Sequence, residues 1–233
     1  MRFEVLLGLI VVISSAALPP QTPIIGIVTL PDDGDEPKAG VPYPPKAKQI
    51  NYTYISASYV KYVQMSGAQV VPIFAFNSTD YLDDMLSKVN GVLFTGGGIE
   101  FNMKNKWTQT ADRILKHAME QNKKGNPYPV WGTCLGFELL AYLTSGYDDK
   151  CLSNVRGETG VRNTLKITDT SYLYDDLPDN IKYDLQSGQG IVYFNHALAL
   201  STSYFKSSSL LKNFWRMTSI STSSYNEEFV STI

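Results

Sequence analysis

Apolar residues in this chain come in short blocks that switch between two spacings. Ile24-Ile25-Gly26-Ile27-Val28-Thr29-Leu30 is an almost unbroken apolar run of strand length. Pro31 to Gln49 hold most of the early prolines together with several charges, and predict an exposed excursion rather than a linker. From Tyr54 the spacing becomes helical: Ile55, Tyr59, Tyr62 and Val63 share one face, and Gly67 ends the run. Ala68 to Phe74 predicts a second strand, Thr79 to Val89 a short helix and Gly91 to Thr95 a third strand. Ala111, Leu115, Ala118 and Met119 mark another helix, Pro129 to Thr133 a fourth strand, and Leu135 to Thr144 the helix after it. Strand alternating with helix at this pace predicts an α/β fold, a doubly wound, mostly parallel sheet with helices on both faces. After Cys151 the pattern blurs. Thr164 to Thr168, Val192 to Asn195 and Phe229 to Thr232 read as strands, and Ser201 to Ser209 as a mostly polar loop. This half is expected to add antiparallel strands and site loops.

Composition narrows the picture. With 233 residues, 43% of them hydrophobic and 18% charged, the chain can bury a substantial core. A formal net charge of -2 leaves no basic surplus to neutralise phosphates, which argues against a general nucleic-acid binder. The opening MRFEVLLGLIVVISSAALPP joins Arg2, an apolar run from Val5 to Ile13, small residues from Ser14 to Ala17 and a Pro19-Pro20 break. That is the pattern of a signal peptide over residues 1–17, its apolar run too short to span a bilayer, so no membrane attachment is expected after cleavage. The expected remainder is one α/β domain over residues 18–233. Secretory entry makes two sequons usable, at Asn51 and Asn77. Two scattered histidines and two cysteines give no metal-ligand spacing, no dinucleotide fingerprint is present, and no cofactor is expected.

The candidate chemistry sits at Gly132-Thr133-Cys134-Leu135-Gly136, a strand–nucleophile–helix elbow with cysteine in the place of serine. The turn is tight, so the positions two before and two after the nucleophile must be small. The side chain then stands at the carboxyl end of the sheet, where open α/β sheets bind ligands. The helix N-terminus favours a thiolate, and the Leu135 N–H points to where an oxyanion forms. A second donor is available from Thr95-Gly96-Gly97-Gly98 at the end of the third strand, unless this is an ordinary glycine turn. Cys151 is the one other cysteine. A Cys134–Cys151 bridge is the competing reading, but glycines bracketing Cys134 have no purpose in a disulfide, which favours a free Cys134 and a buried Cys151.

Pro129-Val130-Trp131-Gly132-Thr133-Cys134-Leu135-Gly136-Phe137-Glu138 resembles the nucleophile segment of the γ-glutamyl hydrolases, which have a class I glutamine amidotransferase-like fold. Tyr54 to Tyr62 resembles that family's first helix, and Gly91 to Gly98 its glycine strand end. The resemblance implies a secreted, lysosomal or vacuolar thiol hydrolase. Its substrate would be pteroyl-poly-γ-glutamate, cleaved at γ-glutamyl bonds through a cysteine acyl-enzyme, and a homodimer is compatible with it. It makes Cys134 the nucleophile, gives Leu135 and Gly97 the oxyanion N–H groups, and places Gly98 against the substrate. Glu138, one turn after Cys134, would hold the α-ammonium of a γ-glutamyl group, or is a solvated helix glutamate. His196 matches a histidine near the substrate, a binding candidate first and a substitute base second. His117 reads as a surface or core residue. Lys104, Lys106 and Arg113 are either contacts for the polyanionic tail or a solvated helix start.

The same resemblance exposes a departure. The family's catalytic histidine lies in a His-Pro-Glu segment, and none occurs here; Phe229 to Ile233 resembles the strand shortly before it. A thiol of pKa about 8.5 is only a few per cent ionised at neutral pH, and a helix terminus contributes about 1 kcal/mol, too little to change that. The expectation is therefore a C-terminally incomplete domain with an exposed sheet edge and weak or absent turnover. The alternatives are a non-catalytic γ-glutamyl-binding pseudoenzyme and a glutaminase-type amidotransferase subunit.

Overall fold

A computed structural model describes residues 22–31, 53–100, 102–169, 173–188 and 190–233. The signal-peptide residues 1–17, Asn51 and most of the proline-rich excursion lie outside them. In chain order the first half runs β1 (Ile24–Val28), β2 (Leu30–Pro31), β3 (Thr53–Tyr54), α1 (Ala57–Met65), β4 (Gln69–Ile73), α2 (Thr79–Lys88), β5 (Gly91–Phe94), α3 (Lys106–Lys123), β6 (Val130–Gly132) and α4 (Leu135–Thr144). β4, β1, β5 and β6 form one parallel sheet in that order, with Ile25 opposite Val70 and Gly91, and Phe94 opposite Gly132. This is the doubly wound arrangement that the alternating pattern predicts.

The pleat explains the two layers. Ile27 and Leu93 point to one face and pack with Tyr59, Val60 and Val63 of α1. Val28, Ile73, Val92 and Phe94 point to the other and pack with apolar residues of α2, α3 and α4. Both faces are covered, so the strands read as continuous apolar runs. Trp107, fully buried, donates its indole N–H to the Thr29 carbonyl at 3.0 Å and ties α3 to the end of β1. Ser78 and Asn105 cap α2 and α3 by accepting the N–H groups of Tyr81 and Trp107. Gly67, at φ +84°, supplies the left-handed residue that ends α1. Tyr62 departs from the expected shared face: it is 57% exposed, on the side of α1 turned from the sheet.

The second half adds a 3-10 turn (Asp149–Cys151), β7 (Leu152–Asn154), β8 (Thr159–Asn163), β9 (Lys166–Ile167), α5 (Asp179–Gln186), β10 (Val192–Asn195), β11 (Leu198–Leu200), α6 (Thr202–Ser207), α7 (Ser209–Phe214), β12 (Ser219–Thr222) and β13 (Glu228–Thr232). The strands pair antiparallel as β7 with β11, β8 with β10, and β12 with both β9 and β13. The stretch Ser201 to Ser209 is not a loop but α6 with its cap and the first residue of α7. Its serines cap both helices: Ser201 accepts the N–H of Tyr204 and Ser208 that of Leu211, while Phe205 and Leu211 are buried. Among the described residues β6 pairs only with β5, and its Trp131 is 47% exposed. No described helix is long and apolar enough to cross a membrane.

Candidate active site

Cys134 stands between β6 and α4 with φ 54° and ψ -113°, a conformation that costs a non-glycine residue about 1–3 kcal/mol. The glycines around it show why the turn closes. A Cβ on Gly132 would lie 2.4 Å from the Gly136 carbonyl oxygen, and a Cβ on Gly136 would lie 2.3 Å from that of Phe94. The Gly136 N–H donates to the Thr95 carbonyl at 3.1 Å and the Thr133 N–H to that of Phe94 at 3.0 Å, holding the elbow against the end of β5.

The ends of β5 and β6 therefore meet. Cβ of Cys134 is 3.1 Å and its Sγ 3.6 Å from where a Cβ on Gly96 would be. The N–H groups of Leu135 and Gly97 both act on the sulfur in the direction of the thiolate. Burial of the thiol outweighs them, and a Glu138 carboxylate adds to it, so Cys134 titrates above its ordinary 9.0. Both cysteines are free, and Cys151 is buried.

Cys134 opens into a cavity of about 1900 Å³, lined on one side by Gly96, Gly97 and Gly98 and on the other by residues of the second half, His196 among them. Gly98 has open space around it. Glu138 lines the cavity one turn beyond Cys134 and is only 8% exposed, with no hydrogen-bond partner for its carboxyl among the described residues. Burial pushes this carboxyl up to about 7. The solvated-helix alternative for Glu138 is therefore excluded. His196 sits after β10, edge-on to Phe194 and Phe229, with Nδ1 2.9 Å from the Leu198 carbonyl. A carbonyl can only accept, so the ring proton is on Nδ1 and Nε2 is free of partners among the described residues. Burial lowers the pKa of this imidazole, against the pull of the Leu198 carbonyl and the Glu158 carboxylate.

Other candidates lie elsewhere. His117 packs edge-on against Tyr128 and, with Lys106 and Arg113, borders a separate polar groove between α2 and α3. Arg113 is held by Asp83 through Nε at 2.8 Å, and Lys104 is exposed away from the cavity, so none of the three cations meets a ligand at Cys134. The cations in the cavity wall are Lys212 and Arg216, the latter 3.4 Å from Asp169. They escape sequence reading because the serines at the start of α7 resemble loop. Tyr59 escapes it too: its spacing marks a core position, yet its hydroxyl accepts the Gly96 N–H at 2.8 Å beside the elbow. Among the described residues no cluster of His, Cys, Asp or Glu is suited to a metal.

A parallel sheet whose neighbouring strand ends present a strained cysteine and a glycine turn defines an α/β protein of the class I glutamine amidotransferase-like type. The fold alone is matched by a Thermoplasma acidophilum protein assigned as one subunit of a GMP synthase, with a TM-score of 0.51 at 11% identity over 91% of this chain and 80% of that one. Within that class the chain belongs to the peptidase C26 family, whose model matches residues 23–232. It is similar to gamma-glutamyl hydrolase B of Dictyostelium discoideum (31% identical, covering 91% of this chain and 58% of that protein). It is also similar to the gamma-glutamyl hydrolases of Bos taurus (30%, 92% and 63%) and Homo sapiens (32%, 77% and 56%). The chain thus spans about three fifths of the length of the curated relatives it matches.

Proposed function

We propose that this chain carries the thiol site of a hydrolase of γ-glutamyl amide bonds, with poly-γ-glutamates such as pteroyl-poly-γ-glutamate as the substrate class. The observation that carries this reading is the meeting of Cys134 with the N–H groups of Leu135 and Gly97 on the wall of a large cavity. The Cys134 sulfur attacks the γ-carbonyl carbon, forming an S–C bond and an oxyanion faced by those two N–H groups. The C–N bond then breaks, and the proton given up by the thiol leaves with the amine. Water attacks the thioester carbon, releasing the γ-carboxylate and returning a proton to sulfur. Glu138 and His196 contact the glutamyl group, and Lys212 supplies positive charge for the anionic tail.

The family relationship supports this chemistry, and the electrostatics limit its rate. A thiol raised above 9.0 is ionised to less than about one part in a hundred at neutral pH, and no described histidine hydrogen-bonds it. Turnover is accordingly slow and acylation is the slow step. The compartment, in this reading, is secretory, lysosomal or vacuolar. Asn77 is compatible with a glycan there, since it is exposed and its side chain is engaged through Oδ1, which accepts the Ser78 N–H at 2.8 Å.

The test is to incubate the protein with pteroyl-polyglutamate and, separately, with free glutamine at acid and neutral pH. Products and the Cys134 peptide are then read by mass spectrometry. Polyglutamate shortening with an acyl adduct on Cys134, both lost in Cys134→Ala, is the expected result. Ammonia from glutamine without shortening identifies a glutaminase instead. Binding with neither adduct nor product identifies a pseudoenzyme.

A further inference from the structure

Glu138 is a residue more than nine-tenths buried, whose carboxyl has no protein partner among the described residues and faces the cavity that holds Cys134. Phe137 and Leu140 flank it on the same helix and line the same cavity. A charge so placed either takes its counter-charge from a ligand or stays protonated. γ-Glutamyl compounds fall into two chemical classes at the nitrogen that would meet it. A terminal γ-glutamyl group has a free α-ammonium. A glutamate inside a γ-linked chain has that nitrogen acylated by its neighbour and presents a neutral amide N–H.

We propose that Glu138 selects between these two classes, admitting N-acylated γ-glutamyl groups when its carboxyl is protonated and free-ammonium γ-glutamyl groups when it is ionised. This rests on the γ-glutamyl reading of the site. A neutral carboxyl accepts an amide N–H without leaving a charge buried, whereas an ammonium beside it would be unpaired. An ionised carboxyl reverses both preferences. Burial pushes the carboxyl up to about 7, so the changeover falls between acid and neutral conditions.

Other titratable groups surround this position. On α4 and its cap there are Cys134 and Tyr142; from α7 comes Lys212, and from the 3-10 turn after α4 come Asp149, Lys150 and Cys151. β5, β6 and β11 contribute none. Across the cavity stand Tyr54, Tyr59, Tyr193, His196 and Arg216. Of these His196 is the one competitor, because it too gains charge on the acid side.

The test follows alkylation of Cys134 by iodoacetamide in the full chain, read on the Cys134 peptide. γ-Glutamyl anilide and N-acetyl-γ-glutamyl anilide are the protecting ligands. Comparing rates with and without ligand at one pH cancels the titration of the thiol. The ratio of the two apparent affinities is expected to move about tenfold or more toward the ammonium ligand between about pH 5.5 and pH 8, and to be flat in Glu138→Gln. In the unaltered chain the midpoint is expected near pH 7. That measurement needs no variant and stands if Glu138→Gln does not fold. A flat ratio in the unaltered chain, or a midpoint below about pH 5.5, overturns the proposal. So does a slope that survives in Glu138→Gln, and its loss in His196→Gln would transfer the role to the histidine. Protection by neither ligand at either pH sinks the γ-glutamyl reading itself.

Discussion

Replacing Glu138 with glutamine removes one titration at nearly constant shape, so its pH-dependent effect on stability can be worked out. The carboxyl ordinarily titrates near 4.5 and burial pushes it up to about 7. Below about pH 4.5 the folded and unfolded chains both hold this proton and no penalty exists. Between the two values the folded chain keeps a proton that the unfolded chain has released, so stability falls as pH rises. Above about 7 the carboxylate is ionised in a site that does not solvate it, and the loss is complete. At about 1.4 kcal/mol per pH unit, the loss reaches about 3 kcal/mol. Glutamine has no such window, although its buried amide carries a pH-independent cost of about 1–3 kcal/mol. The diagnostic quantity is therefore the change with pH in the stability difference between the two proteins. Urea unfolding of both at intervals from about pH 4 to pH 8 measures it, below the range in which Cys134 titrates. The unaltered chain is expected to lose about 3 kcal/mol relative to Glu138→Gln across the window. Parallel curves would refute the reasoning, because they would mean that the carboxyl is solvated or paired.

The elbow supports three more predictions. Gly136→Ala forces a Cβ to 2.3 Å from the Phe94 carbonyl oxygen and is expected to cost at least about 2 kcal/mol in thermal unfolding, whereas Gly98→Ala meets open space and leaves the melting temperature unchanged. Cys134→Gly relieves the backbone at φ 54° and is expected to raise stability by about 1 kcal/mol or more while abolishing any acyl adduct; a lower melting temperature would count against strain at this residue. Tyr59→Phe removes the acceptor of the Gly96 N–H and is expected to cost about 1 kcal/mol and to slow alkylation of Cys134. An unchanged alkylation rate would show that the glycine turn holds its shape without the phenol.

Legibility follows the range of the interactions involved. The parallel sheet and the elbow can be read because each depends on neighbours within a few residues: apolar runs for the strands, two glycines for the turn. α4 is legible with its observed bounds because Leu135 to Thr144 is apolar almost all round and follows a tight turn. The pair of helices from Thr202 to Phe214 escapes in part because their serines, which resemble loop formers, are caps for helices that bury Phe205 and Leu211. Lys104, Lys106 and Arg113 draw attention by following the glycine turn, but Lys104 before α3 and Lys106 and Arg113 on α3 all lie outside the cavity wall. Tyr59 and Lys212 reach it from elements distant in sequence, which no local pattern encodes.

Geometry and electrostatics pull in opposite directions at Cys134. The turn directs two N–H groups at the sulfur, which readies the site for an oxyanion. Yet burial and the Glu138 carboxylate both disfavour the thiolate, and burial is the larger effect. Acid does not rescue the nucleophile: it neutralises Glu138 and removes that repulsion, but only where the thiol is already protonated. A cation in contact with the sulfur would reverse the balance, since an ion pair stabilises the thiolate and its proton can follow the leaving amine. His196 is a poor source of that charge at neutral pH, because burial holds its ring in the neutral form. The groups gathered here are thus better suited to holding an acyl group and its oxyanion than to making the thiolate that attacks. Adding a positive charge at the sulfur is the change from which the site has most to gain.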